Sequence, residues 1–122
     1  NMAAILFHNR VSYHDYEGPS IDTDERQRLA SKLGTNNVLI LRNHGLITCG
    51  PDIADAMWRH YQLEAACTAQ VAALSGGYEN LYLPSDEMLE QASARSNRPR
   101  THEINWAAHR RLADDLYPGY DQ

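Results

Sequence analysis

The chain has 122 residues, 43% hydrophobic and 22% charged, with a formal net charge of −5. That length and composition suit one hydrophobic core, or part of one, in an ordinary globular protein, and not two. The acidic balance gives no footprint for nucleic acid or an anionic membrane surface, and no apolar run approaches the length of a membrane span.

The chain opens at Asn1 with no basic segment leading into an apolar one, so no secretory signal is expected. A start at Asn, with Met2 behind it, suits a fragment or a processed product. Residues 1 to 13 mix Ala, Ile, Leu, Phe and Val and are compatible with a short helix or a strand, and the weak alternation from Phe7 to Tyr13 favours a strand. Tyr13-His14-Asp15-Tyr16-Glu17 is a polar, aromatic loop closed by the strong break Gly18-Pro19. Asp22 or Thr23 then caps a helix whose first turn holds Asp24 and Glu25, where the helix dipole favours anions. Arg28, Leu29 and Leu33 continue it to a C-cap at Gly34.

Val38-Leu39-Ile40-Leu41 runs into Asn43-His44-Gly45, and a second apolar run leaves that turn and stops at Gly50-Pro51. Two short apolar runs separated by a few residues that include Gly predict a buried hairpin. His44 falls at its tip, where two strands can present an imidazole rigidly. A hairpin rarely needs histidine at its turn, so the position points to function.

Pro51 then fits the first position of a helix, with Asp52 and Asp55 behind it. This helix, from about Asp52 to Ser75, would be about 35 Å long. Ala54, Met57, Trp58, Tyr61, Ala65, Thr68 and Ala72 share one face, while Ala56, Leu63, Cys67, Val71 and Leu74 cover much of another. A helix apolar almost all round is expected to be buried, in a core or against another subunit. Tyr78 to Leu83 is an irregular link. Ser85 caps a further helix to about Ser93, and Arg95, Arg98 and Arg100 form a solvated basic stretch. A final helix over about Glu103 to Leu116 is anchored by Trp106, Leu112, Ala113 and Leu116, before the tail Tyr117-Pro118-Gly119-Tyr120. Cys49 and Cys67 read as reduced, buried thiols of a cytoplasmic protein.

Leu41-Arg42-Asn43-His44-Gly45-Leu46, with Thr48 and Gly50, resembles the class II aldolase/adducin family. Ala54-Asp55-Ala56 and Leu63-Glu64-Ala65-Ala66-Cys67-Thr68-Ala69-Gln70 extend the match. Tyr13-His14-Asp15-Tyr16-Glu17-Gly18 is similar to a loop of the bacterial adducin-like members, and Trp106 and Leu112 to Tyr120 are similar to the family's carboxyl end. The resemblance covers nearly the whole chain. It implies an α/β fold, a layered sheet with flanking helices, of which residues 1–122 are the C-terminal part of a single domain. Family enzymes carry a His-x-His pair and an acidic residue well upstream of the turn, and no His-x-His precedes Val38 here.

The resemblance makes His44 the third zinc histidine, holding zinc or another divalent ion together with two upstream histidines. By spacing alone it is a single turn histidine, and a catalytic zinc site needs about three protein ligands. The implied reaction is metal-assisted carbon–carbon cleavage of a small hydroxy-carbonyl or sugar-like substrate, or an epimerisation or decarboxylation through the same enediolate, stabilised by the ion as a Lewis acid. The proton-transferring carboxylate would lie upstream. His14 and Tyr16 are candidates for catalysis because histidine beside carboxylates offers acid/base groups or an outer metal shell. The alternative is a loop whose neighbouring side chains point different ways and cap one another. Tyr120 is a further candidate, since family enzymes place C-terminal residues near a site between subunits of a homotetramer. His8, His60, His102 and His109 carry packing or surface readings: Glu64 lies one turn from His60, and His102 and His109, seven apart, are too far to bind one ion from a single straight helix. The competing class is a non-catalytic, adducin-like oligomeric scaffold.

Overall fold

The computed structural model describes residues 1–18, 24–97 and 101–121. Along them run helix α1 (Met2–Ile5), strand β1 (Val11–His14), helix α2 (Glu25–Leu33), strands β2 (Val38–Leu41) and β3 (Gly45–Thr48), and helices α3 (Ile53–Leu74), α4 (Asp86–Ser96) and α5 (Thr101–Leu116). The strands form one sheet in the order β1-β2-β3, with β1 parallel and β3 antiparallel to β2. The protein is α/β, with helices packed on a small mixed sheet.

The register explains the layering. Val11 pairs with Val38, which pairs with Thr48, so these residues share one face; Ser12, Leu39 and Ile47 share the other. The first face meets α3: the Thr48 hydroxyl donates to the Ala56 carbonyl at 3.0 Å. The second meets α2: the Ser12 hydroxyl donates to the Leu33 carbonyl at 3.2 Å and accepts from the Asn36 amide at 2.9 Å. Leu6, Phe7, Val38, Trp58 and Leu63 make the core on the α3 side, with Val11, Leu46 and Cys67 packed against it. Burying each large apolar side chain there contributes about 1.5–3 kcal/mol.

Phe7 does not begin a strand. Residues 6–9 turn instead, with the Phe7 amide donating to the Ala4 carbonyl at 3.0 Å and Asn9 at a φ of 55°. The weak alternation reflected Leu6 and Phe7 entering the core from a turn, and only Val11–His14 is extended. Asp24 stands at the N-cap position of α2 but makes no side-chain cap bond, while Asp22 and Thr23, the expected caps, lie outside the described residues. Gly34 is the C-cap, at a φ of 58° that favours glycine. Pro51 lies two residues before the helix it was expected to begin: Asp52 is the extended N-cap, and its carboxylate accepts from the Asp55 amide at 2.8 Å. Ser85 caps α4 as expected, and α4 runs three residues past Ser93, to Ser96.

Within the chain itself, two apolar faces stay uncovered. The α3 helix buries only Asp55, Trp58, Leu63 and Ala66, leaving Ile53, Tyr61, Val71 and Leu74 open. On α5, Leu112 and Leu116 are exposed, while Trp106 and Ala113 are half-buried against the rest of the chain. An apolar face is covered only where a partner element exists, and these 122 residues supply too few elements to cover every face of a 22-residue helix.

Candidate functional site

The hairpin tip is residues 42–44, between paired Leu41 and Gly45. The His44 amide donates to the Leu41 carbonyl at 3.0 Å, closing a turn in which Asn43 takes a φ of 57°. That left-handed position is one asparagine tolerates well. Gly45 has an ordinary φ, and a side chain added there would meet nothing. The turn's conformational demand falls on Asn43 instead.

His44 is exposed, and the ring of Tyr16 meets its imidazole edge to face at 6.3 Å between centroids. The segment after β1 is tied to the same turn. The Arg42 amide donates to the His14 carbonyl at 2.9 Å, its guanidinium donates to Asp15 at 2.7 Å, and it lies 5.4 Å over the Tyr13 ring. The five residues from Tyr13 to Glu17 do point different ways: Tyr13 and Asp15 to Arg42, Tyr16 to His44, and Glu17 to Arg28 at 2.7 Å. Of the candidates, Tyr16 and His44 are brought together. Tyr120 lies in the exposed terminal turn, and no ring contact joins it to either among the described residues.

His14 behaves differently. It is 5% exposed, and neither ring nitrogen has a hydrogen-bond partner. Glu17 is 3.6 Å from Nε2, too far for a hydrogen bond and an ion pair only when the imidazole is charged.

A polar cluster that sequence reading passed over lies where α3 begins. Asp55 is buried, and Arg59 donates to it through Nε at 2.7 Å. The Arg59 guanidinium reaches Asn97 at 3.4 Å, and His102, from α5, sits 3.6 Å from Asp55 and 4.0 Å from Asp52. An acid four residues before a base on a helix is a readable signal for the Asp55–Arg59 pair. Nothing in the sequence connects His102 to them. His60 makes no ion pair with Glu64 among the described residues, whereas His109 contacts the Asn105 carbonyl at 2.8 Å and the Tyr61 ring at 5.1 Å. Arg95 is exposed in the last turn of α4; Arg98 and Arg100 lie outside the described residues.

Among the described residues, no three His, Cys, Asp or Glu side chains converge as metal ligands would. His44 supplies one ligand, and one does not make a metal centre. Nor, among those residues, is any helix long and apolar enough to cross a membrane.

A family profile described as the class II aldolase and adducin N-terminal domain matches residues 1–71. The chain belongs to the class II aldolase and adducin family. This family member is 39% identical over 117 residues to a Pseudomonas aeruginosa protein provisionally named as a class 2 aldolase, covering 92% of this chain and 45% of that protein. It is 38% identical over 103 residues to beta-adducin of Rattus norvegicus, covering 80% of this chain and 13% of beta-adducin. A solved aldolase II superfamily protein from Pseudomonas syringae superposes with a TM-score of 0.85 at 36% identity, over 94% of this chain and 46% of its own. An L-fuculose 1-phosphate aldolase from Glaciozyma antarctica PI12 gives 0.75 at 20% identity, over 95% and 43%, a likeness of fold alone. The chain thus spans about half the length of the aldolase-named relatives it matches.

Proposed function

We propose that these residues form the C-terminal part of a class II aldolase-like domain in a metal-dependent lyase acting on a small hydroxy-carbonyl or sugar-like substrate. The observation carrying this reading is His44 itself: an exposed imidazole at the tip of a two-stranded turn, fixed through its own backbone and faced by Tyr16. In this reading His44 is one ligand of a divalent-metal site, zinc or another such ion, completed by two histidines in the stretch of the relatives that this chain does not span. Such an ion supplies Lewis acidity toward a hydroxy-carbonyl group. The chain's own contribution is to hold the imidazole still. The β2–β3 pairing sets the turn, the Arg42–His14 backbone bond ties it to β1, and the Tyr16 ring lies edge to face with the His44 imidazole. Tyr16 stands near enough to touch a substrate bound at His44. The open apolar residues of α3 and α5 fit burial against another subunit, and in this reading the assembly is a cytoplasmic homotetramer with its site between subunits.

Elemental analysis of the native polypeptide, with any upstream segment still present, tests this. Near-stoichiometric divalent metal that disappears in His44→Ala supports the enzyme and directs a screen of small hydroxy-carbonyl sugars and acids. No metal, even after reconstitution of a folded oligomer, sinks it. That result would favour the second reading, a non-catalytic adducin-like scaffold, which draws on the identity with beta-adducin.

A further inference from the structure

We infer that the cavity between the end of β1 and α2 binds a small oxyanion, a carboxylate or a phosphate, held by His14 and Lys32. The cavity measures about 430 Å³, and His14, Gln27, Ser31 and Lys32 are among the residues lining it. His14 is the anomaly that points to a ligand. Among the described residues, the other buried polar ones, Asp55 and Ser93, are bonded: Asp55 to Arg59, and Ser93 to Arg10 and the Leu6 carbonyl. His14 alone among them leaves its side-chain polar atoms without a partner. Buried polar atoms in folded proteins are nearly always satisfied, so an exception calls for a missing partner.

The walls indicate the ligand's charge. Glu17 holds its Oε1 3.6 Å from His14 Nε2, beyond hydrogen-bond reach, while its Oε2 is engaged by Arg28 Nη2 and Nε at 2.7 and 2.8 Å. Lys32, one turn along α2 from Arg28, makes no ion pair among the described residues. Lys32 therefore brings an ammonium to the wall, and His14 brings a ring N–H donor, while Gln27 and Ser31 offer neutral donors one helical turn apart. Glu17 and Asp24 also line the cavity, which restricts the site to a compact anion seated beside Lys32 and disfavours a bulky polyanion. The site does not depend on a metal at His44, so its binding is expected in metal-free protein as well.

Inorganic phosphate and acetate, titrated separately into ¹⁵N-labelled protein at constant ionic strength, test this through the imidazole nitrogens of His14. A saturable shift with one or both is expected. Saturation by phosphate alone assigns a phosphate, and by acetate alone a carboxylate. Lys32→Gln, an exposed change that leaves the fold intact by circular dichroism, should weaken binding about tenfold. His14→Gln should abolish it; if that buried change unfolds the chain, Lys32→Gln carries the test. No movement of the His14 resonances with either anion at tens of millimolar overturns the inference. So does an affinity unchanged in Lys32→Gln.

Discussion

Asp55→Ala should cost about 3 kcal/mol of stability, far more than an exposed helical ion pair is worth. An exposed pair at this spacing contributes about 0.3–0.5 kcal/mol. Here the carboxylate is 4% exposed and the guanidinium 17%, at 2.7 Å. Removing one partner of a buried pair costs about 3–5 kcal/mol, because the remaining charge is left without compensation. Arg59 keeps some access to water and a contact to Asn97 at 3.4 Å, which sets the loss at the low end of that range. Arg59→Ala should cost a similar amount, because it leaves the more deeply buried group with only His102, 3.6 Å away, beside it. The double variant should lose less than the sum of the two. Urea melts followed by fluorescence of Trp58 and Trp106, at fixed protomer concentration, measure all three. In thermal melts, 3 kcal/mol corresponds to a lowering of about 10 °C. A loss below about 0.5 kcal/mol for Asp55→Ala would show that the pair behaves as a surface one, and strict additivity would show that the two groups do not act together.

Gly50→Ala should destabilise by about 1–3 kcal/mol, since the new methyl would lie 2.9 Å from the Ala56 amide and collide with the anchored Asp55 carboxylate. Gly45→Ala, where a methyl meets nothing, should be nearly neutral in the same melts; equal losses at both sites would contradict the packing account. Burial, and next the charge of Glu64, push the Cys67 thiol above its ordinary pKa of 9.0. A thiol whose folded pKa is raised contributes stability that is complete below its unfolded pKa and is lost as pH rises through the folded one. Alkylation of Cys67 by iodoacetamide should therefore reach its plateau at higher pH than that of an unfolded-chain cysteine, and Glu64→Gln should move the profile down. Profiles that coincide would remove both causes.

The strongest readings from sequence were those in which pattern and punctuation agreed. Val38–Leu41 and Gly45–Thr48 flank a turn that asparagine and glycine both mark, and the hairpin formed as read. Ser85 and Gly34 were legible because capping chemistry is local. The first residues misled because Leu6 and Phe7 are apolar for a tertiary reason, contact with Trp58 and Val38, which alternation cannot distinguish from a strand. Within the candidate site, the position of His44 was legible for the same local reason as the hairpin. The face of Tyr16 turned toward it was not, because it depends on the parallel pairing of β1 with β2, two segments separated by a whole helix.

The α3 helix shows where such reading stops. Its apolar residues lie on nearly every face, and burial in a core or against another subunit was the natural inference. In the folded chain Val71 is 72% exposed and Tyr61 54%, while Leu63 and Ala66, at comparable hydrophobicity, are covered by the core and by α1. Periodicity reports that a face is apolar; it does not name the element that covers it. The same limit applies to His14. Its place at the end of a strand was readable, but its burial without a hydrogen-bond partner arises from α2 lying across that face of the sheet. A histidine in a polar loop is ordinary, and only its enclosure makes a missing partner necessary.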